Sequence, residues 1–167
     1  MDIFDQTVRK HPDKSAVVFE KQRWTFAQLQ EYSYRVANYF SAKGFREGDC
    51  VAIILHNRPE YIGIWLGLSR LGIASALINY NLQGEVLKHS LSVADAKAVI
   101  LSKELAPAML EARELLGSSL EYFTLDGVTA ELGALDLEEE LRRSSSSAPP
   151  VRGTKSFNGT DPIMPQK

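Results

Sequence analysis

Cysteine is nearly absent. Cys50 stands alone in 167 residues, so no disulfide can close within the chain and a reducing setting is expected. It opens an apolar run, which suits a small buried hydrophobe. Histidine is scarce as well: His11, His56 and His89 lie far apart, with no cysteine or carboxylate at ligand spacing. No metal site is expected, and the three are read as surface or capping residues. Basic runs are missing too. The 19 Lys and Arg are scattered, and a net charge of −2 with a pI near 5.9 leaves no broad attraction to nucleic acid, so no such partner is expected.

Phosphate-binding fingerprints are also lacking. No G-x-x-x-x-G-K-[ST] occurs, and the nearest string, Gly153-Thr154-Lys155-Ser156, has one glycine and no strand before it. No G-x-G-x-x-G follows a strand, which removes the dinucleotide signature. The start, MDIFDQTVRKHPDK, has neither the basic region nor the apolar stretch of a secretory signal, so the chain is expected to begin in the cytosol. For that reason the sequon Asn158-Gly159-Thr160 is not expected to be glycosylated.

What is present is an ordinary globular composition, 44% hydrophobic and 24% charged, with enough length for one domain. Its longest apolar run, Tyr61 to Ile78, holds one charge, Arg70. A membrane span needs about 20 apolar residues, so length alone permits one. Arg70 opposes it, since an intramembrane arginine is costly, and the flanks lack the basic asymmetry that orients a span. Gly72 divides the run into a core helix, Arg58 to Leu71, and a buried strand, Ala74 to Ile78. Asn57 is expected to cap that helix with Glu60 three residues on and Pro59 in the first turn. Trp65 is expected in the core, and Gly63 with Gly67 should let the helix approach the sheet.

Around this unit the pattern is regular. Ile3 to Lys10 is expected to be a helix ending before Pro12, and Ser15 to Glu20 with Arg23 and Trp24 a small hairpin. Thr25 and Gln28 form a capping box for the next helix, with Trp24 stapled onto Leu29. Phe26, Leu29, Ser33, Val36, Ala37 and Phe40 make its buried stripe, and Gly44 ends it. Strands follow at Val51 to Leu55, Ala98 to Leu101 and Tyr122 to Leu125, with helices around Gln83 to Val93 and Glu104 to Leu116. This alternation argues an α/β layered fold, mainly a parallel sheet with helices on both faces. A short acidic helix near Leu135 to Arg143 closes the domain, 1–143, and 144–167 is expected to be a Ser/Pro/Gly-rich linker or disordered tail.

The segments WTFAQLQEYSYRVANYF, GFREGDCVAIILHNRPEYIGIWLGLSRLG and ALINYNL closely resemble the N-terminal part of the fatty acid transport proteins. These are very-long-chain acyl-CoA synthetases of the AMP-forming, adenylate-forming superfamily. The resemblance covers about residues 1 to 157. It implies activation of a long-chain fatty acid by ATP with magnesium, then thioester formation with coenzyme A at a membrane, on the cytosolic face of the plasma membrane or endoplasmic reticulum. The family's phosphate loop, Y-T-S-G-T-T-G-x-P-K, its Y-G-x-T-E motif, its ribose-binding aspartate and its late lysine find no match here. No catalytic, cofactor-binding or metal residue is therefore carried over, and no cofactor is expected in this chain.

After Phe157 the sequence departs from the family into NGTDPIMPQK. The family's upstream hydrophobic segment is missing as well. Two readings follow: an N-terminal fragment of a long-chain fatty acid–CoA ligase, inactive alone, or a non-catalytic module forming homo-oligomers or joining full-length subunits.

Overall fold

The computed structural model describes residues 2–116 and 120–149. Helix α1 (Asp2–Lys10) precedes a hairpin of β1 (Ser15–Phe19) and β2 (Gln22–Thr25), then helix α2 (Phe26–Ala42). The capping box at α2 forms in full: the Gln28 N–H donates to Thr25 Oγ1 at 3.2 Å, and the Thr25 N–H to Gln28 Oε1 at 2.8 Å. Trp24 sets its ring on Tyr32, with centroids 5.1 Å apart. Gly44, at φ +92°, takes the left-handed position that ends α2. Phe45 N–H then bonds back to the Phe40 carbonyl at 3.0 Å, and the two rings meet at 5.2 Å, a hydrogen-bonded stop with its apolar contact.

Five strands build the main sheet, in the spatial order β4-β3-β5-β6-β7. They are β3 (Cys50–Ile54), β4 (Ala74–Leu77), β5 (Ala98–Ser102), β6 (Glu121–Leu125) and β7 (Leu135–Asp136). Every pairing is parallel, with Val51 opposite Ser75 and Ala98, and Val99 opposite Tyr122. The linking helices are α3 (Pro59–Arg70), α4 (Gly84–Val93) and α5 (Ala106–Leu116, after a 3₁₀ turn at Lys103–Leu105). Helix α6 (Leu137–Arg143) follows β7. Alternate residues of the strands feed two cores. Val51, Ile53, Ile100 and Phe123 pack with α2, α3 and α6, and Ala52, Ile54, Val99 and Leu101 with α4 and α5. Helices on both faces are thus the consequence of strands apolar on both sides.

The run Tyr61 to Ile78 is a helix and a strand inside this sandwich, and no helix among the described residues is long and apolar enough to cross a membrane. Arg70, its one charge, is buried against α1. Its Nη2 reaches Asp5 Oδ1 at 2.6 Å, its Nε donates to Ser33 Oγ at 3.2 Å, and the guanidinium covers the Tyr34 ring at 4.5 Å. That partner, 65 residues away, is what lets a charge sit in an apolar stretch.

Four expectations change. Asn57 is not the cap of α3; Arg58 holds that position with extended backbone (φ −163°, ψ 156°) and no side-chain bond, because Pro59 forces its predecessor out of the helical region. Trp65 is 45% exposed, on the side of α3 turned away from α2. Strand β4 is not buried: it is a sheet edge, and Leu77 is 54% exposed. The pair Gly63 and Gly67 faces α2 and not the sheet: a methyl added at Gly67 would lie 2.5 Å from Val36 Cβ and 2.7 Å from the Ser33 carbonyl. Cys50 is half-buried, and burial pushes its thiol pKa up. The strings Gly153–Ser156 and Asn158–Thr160 lie outside the described residues.

Candidate functional site at the carboxyl edge of the sheet

The chain leaves β3 toward β4 on one side and returns through α4 to β5 on the other. Loops therefore diverge above the carboxyl ends of β3 and β5, the place where open α/β sheets bind ligands. Six polar residues meet there. His56, just beyond β3, sets Nδ1 3.0 Å from Glu104 Oε1 on the turn after β5, and Tyr80 packs on the imidazole with centroids 4.2 Å apart. Arg58 donates through Nε to Glu60 at 2.9 Å and grips Asp126 beyond β6 with both terminal nitrogens, the longer contact 3.2 Å. Beside them an open hollow of about 430 Å³ is lined by Asn57, Tyr61, Leu77, Asn79 and Tyr80.

At this edge Arg58 is held between two carboxylates. Burial works against the Arg58 cation, yet its bonds to Asp126 and Glu60 outweigh that and raise its pKa. Burial also pushes the Glu138 carboxyl up, helped by the negative charge of nearby Glu60, and pushes the Tyr32 phenol up. The Thr124 hydroxyl donates to the Gly127 carbonyl at 2.7 Å, shaping the turn that carries Asp126 at φ +69°. Arg58 is thereby a brace joining the loop after β3 to the loop after β6.

Arg58 is not available to a polyanion such as ATP or coenzyme A. A triphosphate needs convergent backbone donors and free cations, whereas Arg58 is committed to two carboxylates and Glu104 adds another negative group. Among the described residues no three His, Cys, Asp or Glu side chains are placed to hold a metal ion. His11 and His89 stay exposed and remote from this edge. The sequence reading missed both contacts made here: His56 with Glu104 and Arg58 with Asp126 are 48 and 68 residues apart. The sequence signal for them was position, since each residue lies within four residues of a strand's carboxyl end.

A profile described as AMP-binding enzyme matches residues 4–162. The chain belongs to the AMP-binding enzyme family. Long-chain fatty acid transport protein 1 of Bos taurus is 41% identical over 159 residues, which cover 90% of this chain and 25% of that protein. Among solved structures, a fatty acyl CoA synthetase of Mycobacterium tuberculosis superposes with a TM-score of 0.79 at 26% identity, over 90% of this chain and 29% of that one. The anthranilate CoA ligase AuaEII, in complex with anthranoyl-AMP, reaches a TM-score of 0.81 at 22% identity, over 87% and 28%, and at that identity shows the fold alone. The chain thus spans about a quarter of the length of the transport protein it matches. Its parallel sheet is that of the N-terminal domain of adenylate-forming enzymes.

Proposed function

We propose that this chain is an N-terminal portion of a long-chain fatty acid–CoA ligase that couples acyl-adenylate formation to fatty acid uptake at a membrane, and that it has no ligase activity by itself. The observation that carries this reading is the 41% identity with a long-chain fatty acid transport protein over nearly the whole chain. Inactivity alone is supported by the sequence, in which no phosphate loop occurs, and by Arg58, which is spent on a structural brace. ATP, magnesium and coenzyme A would then be held by residues of the parent outside this chain. The test is fatty-acid-dependent release of pyrophosphate from ATP by the purified 167-residue chain. No release is expected, and release above a no-enzyme control would overturn the proposal.

A second reading, an interaction module, is favoured by one feature. Strand β4 leaves an uncharged edge, Ala74-Ser75-Ala76-Leu77, open to pairing with another chain. Self-association or capture of full-length subunits through that edge would be its function.

A further inference from the structure

Helix α6 leaves the domain through a strap that is bonded to α2. Arg35 Nη1 donates to the Ser144 carbonyl at 2.8 Å and to those of Leu141 and Arg142 at 3.3 Å. Its guanidinium thus covers the electronegative carboxyl end of α6. One turn along α2, Asn38 Nδ2 donates to the carbonyls of Ser145 at 2.7 Å and Ser147 at 2.9 Å. The strapped sequence is Arg142-Arg143-Ser144-Ser145-Ser146-Ser147, and Ser145, Ser146 and Ser147 are exposed.

We infer that Ser145 is a phosphorylation site for an arginine-directed serine kinase, and that the Arg35 and Asn38 strap gates it. This goes beyond the ligase reading and does not depend on it. Two guanidiniums, three and two residues ahead of a serine, match the paired carboxylates with which such a kinase selects its substrate, because arginine binds carboxylate through a planar fork. In the step, Ser145 Oγ bonds to the γ-phosphorus of ATP, the bond to the leaving ADP oxygen breaks, and the hydroxyl proton passes to the kinase's base.

The gate follows from geometry. A kinase draws its substrate out as an extended chain rising roughly 3.3 Å per residue, whereas a helix rises about 1.5 Å. Here Arg142 and Arg143 sit in the last turn of α6, paired with Glu139 at 3.2 and 2.6 Å, and the Ser145 hydroxyl accepts the Ser147 N–H at 3.1 Å. The closed strap therefore keeps the arginines and the serine out of the extended form a kinase draws on, although the side chains of all three are at the surface. Only a chain whose strap has lifted from Asn38 presents arginines and serine together.

The experiment incubates the full chain with ATP and the catalytic subunit of cyclic-AMP-dependent protein kinase and maps phosphate by mass spectrometry. Slow incorporation at Ser145 is expected in the unaltered chain, and none at that position in Ser145→Ala. Asn38→Ala and Asn38→Asp both remove the clamp's two donors, and should speed incorporation roughly five-fold or more, as the loss of two net hydrogen bonds implies. The Asp variant keeps the side-chain shape should the Ala variant misfold, and circular dichroism reports which of them is folded. A peptide of residues 139–149 should be modified fastest. Absence of phosphate at Ser145 in both chain and peptide overturns the site, and equal rates for the unaltered chain and the folded Asn38 variants overturn the gate.

Discussion

Residue by residue, exposure decides what a substitution does, and apolar character alone misleads. Trp65 is large but 45% exposed, whereas Phe123 is fully buried, with its ring edge-on to Phe40 at 5.3 Å and to Tyr39 at 5.9 Å. Trp65→Ala should therefore cost less than about 1 kcal/mol, while Phe123→Ala should cost about 3 to 5 kcal/mol, as buried aromatic truncations do. Urea unfolding of the two variants checks this, and similar costs would contradict the assigned faces. Gly67 gives a prediction of opposite sign to helix propensity. Alanine there should gain about 1 kcal/mol as a helix former, but its methyl would fall 2.7 Å from the Ser33 carbonyl, a backbone atom that cannot swing away. A net loss of about 1 to 3 kcal/mol is expected from overpacking, and a stabilised Gly67→Ala protein would show that α2 and α3 can separate freely.

Elements are joined by charges whose pH dependence can be worked out. The Arg70 guanidinium beside Asp5 holds its carboxyl below the usual range against burial, and Lys97 does the same for Asp49. A carboxyl with a lowered folded pKa contributes stability above its unfolded value of about 3.9. That contribution is lost as pH falls through the folded value, because the unfolded chain binds the proton first. The docking of α1 should thus weaken below about pH 4, and Asp5→Asn should reduce the slope of stability against pH there. A slope unchanged by that substitution would remove Asp5 from the account. Glu138 behaves in the opposite way: burial and Glu60 raise its pKa, so its ionisation opposes folding at neutral pH and the opposition fades on acidification. The elements themselves were largely legible in the sequence, since the capping box, Gly44 and the fully buried β5 are local signals. Edge and interior were not, because Ala74-Ser75-Ala76-Leu77 looks alike in either place until the strand order is known. Nor were the contacts of the candidate site, which form only when the ends of β3, β5 and β6 are brought side by side.

At the scale of the whole molecule, the unpaired side of β4 is what connects this chain to others. The strand carries no proline, no charge and no bulge against β3, the devices with which proteins discourage edge pairing. Its neighbourhood is apolar and open: Leu77 lines the hollow with Tyr61 and Tyr80, and Trp65 lies one turn beyond Tyr61 on α3. The transport protein that matches this chain is about four times as long, so a parent would have ample sequence with which to cover such an edge. Without cover, two copies can pair β4 to β4, extending the sheet and burying Leu77 from each. The purified chain is therefore expected to grow in apparent mass with concentration in analytical ultracentrifugation and to bind a hydrophobic dye at neutral pH. Leu77→Lys places a charge on the exposed edge without touching either core, so it should yield a dispersed monomer with an unchanged unfolding midpoint. A wild-type chain that stays monomeric at every concentration, with a sharp cooperative transition and no dye binding, would mean that the edge is tolerated in water and that this piece of the fold is self-sufficient.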